Sequence, residues 1–122
     1  MNCRTGIFVA LCLAACVALS GPTRAEFYDG NDLHLMCTSG GNVEDSGICS
    51  GYAAAILDAM AAHRERGLDF LGQKSCVPDG VKLEQAGERI VGYLERHPQW
   101  RHHPGAYLVA LALSEAWPCP ER

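Results

Sequence analysis

Apolar side chains recur every three or four residues over three long segments of the chain, the spacing of one face of an α-helix. The first segment runs from about Ile48 to Arg66, the second from about Leu83 to Arg96, and the third begins near Pro104. The pattern therefore predicts three amphipathic helices. The recurring positions are Ile48, Tyr52, Ile56, Met60 and His63; Leu83, Gly87, Ile90, Leu94 and His97; and Ala106, Val109, Ala110, Leu113 and Trp117.

A shorter helix is predicted ahead of these three. Asn31 or Asp32 can cap its start, Leu33 and Met36 share a face with Cys37, and a Ser-Gly-Gly run ends it. A polar, acidic loop around residues 40–46 follows. Ala55 and Ala59 are expected on the inner side of the second helix. The later helices end at a glycine or at prolines, namely Gly67, Pro98, Pro118 and Pro120.

No stretch alternates polar and apolar residues for long enough to predict a sheet. The predicted fold class is therefore all-α, a small disulfide-stapled bundle of about four helices. A domain of under 100 residues buries a modest core, so cross-links would help to stabilise it.

The first 25 residues have the features of a secretory signal peptide. Arg4 precedes an apolar run from Ile7 to Leu19, and a small-x-small pattern ends at Ala25. We therefore expect cleavage after Ala25 and a single domain over residues 26–122 in the periplasm. The alternative is a lipoprotein anchored through Cys16, because the residues before it resemble a lipobox.

The charge of residues 26–122 is acidic: 8 Lys and Arg face 14 Asp and Glu, for a net charge of −6. Nucleic-acid binding requires a basic face, so this balance argues against a nucleic-acid partner. It is compatible with a basic protein partner.

Four cysteines remain after the signal peptide, and four cysteines in a short exported chain are typical of two disulfides. Closely spaced Cys pairs that would indicate zinc are absent. An antiparallel arrangement of the last two helices favours Cys76–Cys119, and Cys37 and Cys49 flank the acidic loop. The other pairings stay open.

Catalytic signatures are lacking. No nucleophile elbow surrounds Ser39, Ser46, Ser50, Ser75 or Ser114, and the four cysteines are assigned to disulfides. We therefore expect no enzyme activity, no catalytic residue and no cofactor.

The segment 97–103 is the most distinctive candidate site. It carries His97, His102 and His103 beside Trp100 and Arg101, two residue types enriched at binding hot spots. Protein binding competes here with a metal site, with pH sensing, and with Trp100 simply folding into the core. No metal ligand is assigned.

Three stretches together resemble the Rap/Tai family of periplasmic immunity proteins, which neutralise amidases delivered by type VI secretion. They are "CSGYAAAILDAM", "CVPDGVKLEQAGERIVGYLERHPQW" and "AYLVALALSEAWPC". The matching positions besides the cysteines are Gly51, Tyr52, Asp58, Pro78, Gln85, Tyr93, Leu94, His97, Pro98, Trp117 and Pro118. The chain departs from the family pattern at Ala53, where a glycine often follows the tyrosine, and at Lys82, where a Ser or Thr would cap the helix.

The resemblance implies an all-helical, disulfide-bonded, often dimeric protein that occludes the cleft of a peptidoglycan amidase without turnover. The residues expected to contact such a partner lie in the two loops: Trp100, Arg101, His102, His103, Asn42, Glu44 and Asp45. The alternative function is that of a small periplasmic stress or acid-response protein, or a chaperone-like one, without a toxin partner.

Overall fold

The computed structural model of the chain describes residues 27–40 and 42–121. The predicted signal peptide, its cut after Ala25 and the lipoprotein alternative at Cys16 lie outside the described residues.

Four α-helices make up the described part of the chain, and it contains no β-strand. They are α1 (Gly30–Thr38), α2 (Val43–Glu65), α3 (Leu83–Arg96) and α4 (Gly105–Ala116), with a short 3-10 helix at Pro98–Trp100. The predicted all-α class and the bounds of α3 are confirmed. No helix of this part is long and apolar enough to cross a membrane.

The helix α2 begins earlier than the sequence pattern indicated. Asn42 caps it by accepting hydrogen bonds from the backbone N–H groups of Glu44 and Asp45, at 3.1 Å and 3.4 Å. Acidic residues in a first turn are favoured by the helix dipole, so the polar run continues the helix instead of interrupting it. The prediction of a free loop over residues 40–46 is therefore wrong for residues 43–46.

The cap of α1 was also assigned to the wrong residue. Asp29, rather than Asn31 or Asp32, is the N-cap, and its carboxylate accepts from the N–H groups of both those residues. Asp32 in turn accepts from the backbone N–H of Asp29 at 3.1 Å, which completes a capping box. Asp29, Asn31 and Asp32 are all residue types suited to capping, so the sequence alone does not show which of them caps the helix.

The core lies where the other three helices pack on α4. The buried residues of α4 are Leu108, Val109, Ala110, Ala112 and Leu113. On α2 the buried alanine is Ala53, whereas the predicted Ala55 is exposed and Ala59 is partly buried. Three consecutive alanines do not show by their pattern which of them faces the core, so Ala55 was predicted as an inner residue in place of Ala53. Tyr93 and Ala86 add to the predicted stripe of α3.

Two glycines allow the N-terminal ends of α1 and α4 to approach closely. A Cβ on Gly105 would lie 2.6 Å from Leu33 Cδ1 and 2.9 Å from the Tyr28 carbonyl oxygen. A Cβ on Gly30 would overlap the Leu108 side chain and the backbone of Arg101. The contact requires residues without a side chain at both positions.

Both disulfides form in the favoured pairing. Cys37 is bonded to Cys49, which ties the end of α1 to the start of α2, and Cys76 is bonded to Cys119, which ties the connection before α3 to the chain after α4. Both predicted pairings, Cys37 with Cys49 and Cys76 with Cys119, are confirmed.

Candidate partner-binding site

The turn between α3 and α4 presents Trp100 on the surface. Pro98 ends α3 and starts the 3-10 helix that carries the tryptophan. The Trp100 ring stacks on the imidazole of His97, with 4.6 Å between centroids and 7° between planes, and lies 6.4 Å from Tyr93. Trp100 nevertheless remains 41% exposed. The ring is therefore held in one orientation while much of its surface faces solvent.

The remainder of this turn is fixed by backbone contacts. Arg101 donates from Nε to the carbonyl of Leu94 at 2.7 Å, and its own carbonyl accepts from Asn31 N–H at 3.0 Å. The His103 carbonyl accepts from Gly30 N–H at 3.2 Å. The Arg101 side chain thus satisfies a carbonyl at the C-terminal end of α3, and backbone hydrogen bonds join the turn to the start of α1.

His102 and His103 are both exposed, and their ring centroids lie 4.2 Å apart. No group of three His, Cys, Asp or Glu side chains within residues 27–40 and 42–121 is placed to hold a metal ion. The pair can offer hydrogen bonds to a partner beside the Trp100 ring.

Of the other predicted contact residues, two hold the start of α2 and one is an exposed carboxylate. Asn42 accepts from two backbone N–H groups and donates from Nδ2 to Asp45 at 3.0 Å, so both side chains serve the start of α2. Glu44 is exposed and is the carboxylate of this set best placed for a partner.

An acidic groove of about 500 Å³ extends from the Cys37–Cys49 disulfide along α3. Its wall carries the carboxylates of Glu84, Glu88 and Glu95, and small residues of α2 form part of its floor. The helical period gave no sign that these glutamates lie beside the disulfide.

Three of the five serines considered as nucleophiles donate structural hydrogen bonds. Ser75 donates to the Leu113 carbonyl, Ser39 to the Met36 carbonyl, and Ser114 to the Leu111 carbonyl. Burial, followed by the nearby carboxylate of Glu115, raises the pKa of Tyr93, which keeps that hydroxyl neutral at physiological pH.

The model of the family of Rap1a immunity proteins matches residues 29–119, which are 91 of the 122 residues of the chain. The chain belongs to this family. No curated protein and no solved structure was found to match it.

Many of the positions on which the resemblance rests have structural roles here. Gln85 accepts from the Lys82 backbone N–H at 2.8 Å, which satisfies the start of α3 where Lys82 offers no side-chain acceptor. Tyr93 and Leu94 are core residues, and the Trp117 carbonyl accepts from Cys76 N–H at 2.8 Å.

The remaining positions of the resemblance lie nearer the surface. Tyr52 is partly buried, with its ring 6.1 Å from Tyr28. Gly51, Asp58, Pro78 and Pro118 are exposed. Apart from the neighbouring backbone of α2 itself, no atom lies within 4 Å of a Cβ built on Gly51, so helix packing does not require a glycine there.

Sequence reasoning missed the connection between α2 and α3. Ser75, which is 4% exposed, donates to the Leu113 carbonyl at 2.9 Å, and Arg64 donates to the Ser75 carbonyl at 2.9 Å. Ser114 also donates to Gln73 Oε1 at 3.0 Å. Residues 73–76 thus form a strap that is fastened to the C-terminal end of α4. In the sequence Cys76 was noted as a disulfide partner and Ser75 only as a possible nucleophile, and neither indicated the hydrogen bonds to α4.

Proposed function

We propose that this member of the Rap1a immunity proteins acts in the periplasm, where it binds a peptidoglycan amidase delivered by type VI secretion and occludes its cleft. The observation that carries the proposal is the family match over residues 29–119. In this proposal residues 1–25 are the export signal, residues 26–122 are the immunity domain, and the chain inhibits without turnover.

The contact surface proposed for the amidase is centred on Trp100. Its ring is oriented by His97 before binding and keeps an exposed surface, so little conformational entropy is lost when a partner covers it. Arg101, His102 and His103 supply polar groups around it. The carboxylates of Glu44 and Asp45 and the acidic groove along α3 would steer a basic partner, because complementary charge mainly raises the association rate.

A homodimer is part of the proposal, because the family resemblance implies one. Sedimentation of the purified domain, residues 26–122, over a range of concentrations measures it directly. If the domain is a monomer at micromolar concentration, the proposed homodimer is wrong, whereas the proposed inhibition of an amidase is unaffected and is tested separately.

The proposal is tested by capture followed by inhibition. The exported, tagged chain is recovered from the periplasm with its bound proteins, and any amidase found by mass spectrometry is purified. We expect the chain to stop this amidase from hydrolysing peptidoglycan at a one-to-one ratio. Recovery of no amidase, or an amidase that is captured but still fully active, would contradict the proposal.

Trp100→Ala tests the contact surface with the same captured amidase. Loss of a central aromatic side chain of this type should weaken the affinity for the amidase by about thirtyfold or more. Leu35→Ala is the control, because Leu35 is an exposed apolar residue on α1 and is 67% exposed. Equal affinities of the two variants would show that Trp100 is outside the interface.

A second candidate function, an acid response without a toxin partner, is favoured by one observation. His102 and His103 are exposed on one turn with their ring centroids 4.2 Å apart, and histidine is the side-chain type that pH-dependent switches most often use. This function predicts a loss of helicity or a change of oligomeric state between pH 7 and pH 4. Unchanged circular dichroism and sedimentation over that range would exclude it.

A further inference from the structure

The connection after α2 contains a tight turn at residues 70–73. Phe70 and Gln73 exchange two backbone hydrogen bonds, one of 3.0 Å from the Phe70 N–H and one of 2.9 Å from the Gln73 N–H. Between them Leu71 has a φ of 51° and Gly72 a φ of 74°. Two central residues with positive φ are characteristic of a two-residue hairpin turn of type I′.

Leucine is an unfavourable residue at the first of these positions. A side chain crowds the backbone when φ is positive, so Gly, Asn and Asp predominate in such turns. Leu71 is the one residue with a side chain that adopts positive φ in the described part of the chain. It is also 51% exposed, so packing within the molecule does not explain why leucine stands there.

The base of this turn is held rigidly. Gln73 and Ser75 are hydrogen-bonded to α4, and Cys76 is both bonded to Cys119 and hydrogen-bonded to Trp117. A strained conformation persists only where its surroundings impose it, and such residues concentrate at functional sites. The fixed base supplies that constraint and presents the Leu71 side chain as an ordered apolar projection.

The connection that carries Leu71 exposes two leucines, and its charges nearly cancel. Leu68 is also 51% exposed, and it lies three residues before Leu71. Residues 64–74 carry three cationic and two anionic side chains, so their net charge is +1, against −6 for residues 26–122. Lys74 is paired with Asp69 at 3.1 Å. A partner at this surface would be recognised by apolar contact, with little electrostatic steering.

We infer that residues 68–73 form a second surface for the amidase, in which Leu71 enters an apolar recess of that protein. The inference rests on the proposed function. The turn is fastened to the C-terminal end of α4 and the Trp100 turn lies at its N-terminal end, so about 17 Å of helix separates them. A standard interface buries about 800 Å² on each partner and is roughly 30 Å across, so one footprint is large enough to include both.

Leu71→Asn separates binding from folding, because asparagine suits positive φ but is polar. We expect the melting temperature of the free variant to stay level or rise by roughly 2–5 °C. Its affinity for the captured amidase should fall at least about tenfold, through faster dissociation and an almost unchanged association rate. Leu71→Met keeps an apolar side chain in the same conformation and should bind within about threefold of the wild type.

Leu35→Asn provides the matched control, since it makes the same substitution at an exposed leucine outside the turn, and it should bind like the wild type. If Leu71→Asn binds as tightly as the wild type, the inference fails while the proposed function stands. If its weaker binding comes with a lower melting temperature, the inference also fails, because the loss is then a folding effect. If the wild-type chain inhibits no amidase, the inference and the proposed function fail together.

Discussion

Single residues without side chains decide how closely the helices of this protein approach. At Gly105 the nearest atoms to an added Cβ include a backbone carbonyl, which cannot rotate away as a side chain would. At Gly87, in the middle of α3, no atom lies within 4 Å of an added Cβ. The two glycines therefore have opposite consequences for stability although both are helical.

We predict that Gly105→Ala lowers the free energy of unfolding by about 1–3 kcal/mol, because the new methyl group overpacks the contact with Leu33 and Tyr28. Gly87→Ala, the matched control, should raise it by roughly 0.5–1 kcal/mol, since alanine loses less backbone entropy in a helix. Urea unfolding followed by circular dichroism measures both. A Gly105→Ala variant as stable as the wild type would show that α1 and α4 can separate without cost.

At the scale of elements, the sequence was informative where period and stop signals agreed. The bounds of α3 were predicted correctly because Leu83, Ile90 and Leu94 mark one face and Pro98 ends the helix. The start of α2 was missed because an acidic, glycine-containing run is typical of a loop, whereas the Asn42 cap makes it helical. Short-range composition cannot distinguish these cases when the cap and the loop use the same residue types.

The Leu71 turn was hidden from sequence analysis for a related reason. Type I′ turns are recognised by Asn-Gly or Asp-Gly, and Leu-Gly gives no such signal. Likewise, the hydrogen bonds of Ser75 to α4 span 38 residues of sequence and leave no local pattern. The fold of the helices was therefore accessible from periodicity, whereas the surface between α2 and α3 depended on long-range contacts.

The strap formed by residues 73–76 should behave as part of α4. Ser75→Ala removes a buried hydrogen bond to the Leu113 carbonyl, which keeps its second donor, the Trp117 N–H, so the loss should cost about 0.5–1.5 kcal/mol of unfolding free energy. Ser46→Ala is the control, because Ser46 is exposed in the first turns of α2. Hydrogen exchange should report faster opening of the last turn of α4 in Ser75→Ala. An unchanged exchange rate there would mean that the disulfide alone fastens the strap.

At the scale of the whole molecule, each disulfide closes a different part of the bundle. Cys37–Cys49 closes a ring with a sequence separation of 12, and Cys76–Cys119 one with a separation of 43. The loop-entropy model assigns about 3 kcal/mol to the first and about 4 kcal/mol to the second, because a longer ring restricts the unfolded chain more. The second disulfide also joins segments that hydrogen bonds of Ser75 and Cys76 already hold together.

We therefore predict that replacing Cys76 and Cys119 together by alanine destabilises the domain more than replacing Cys37 and Cys49 does, by about 1 kcal/mol. Chemical unfolding of the two double variants, each with the other disulfide intact, measures the difference. The reverse order would indicate that α1, only nine residues long, depends on Cys37–Cys49 for its native position. The domain would then owe its stability to the staple on its shortest helix, and loss of that staple would expose the Leu33 face of the core before the rest of the bundle unfolds.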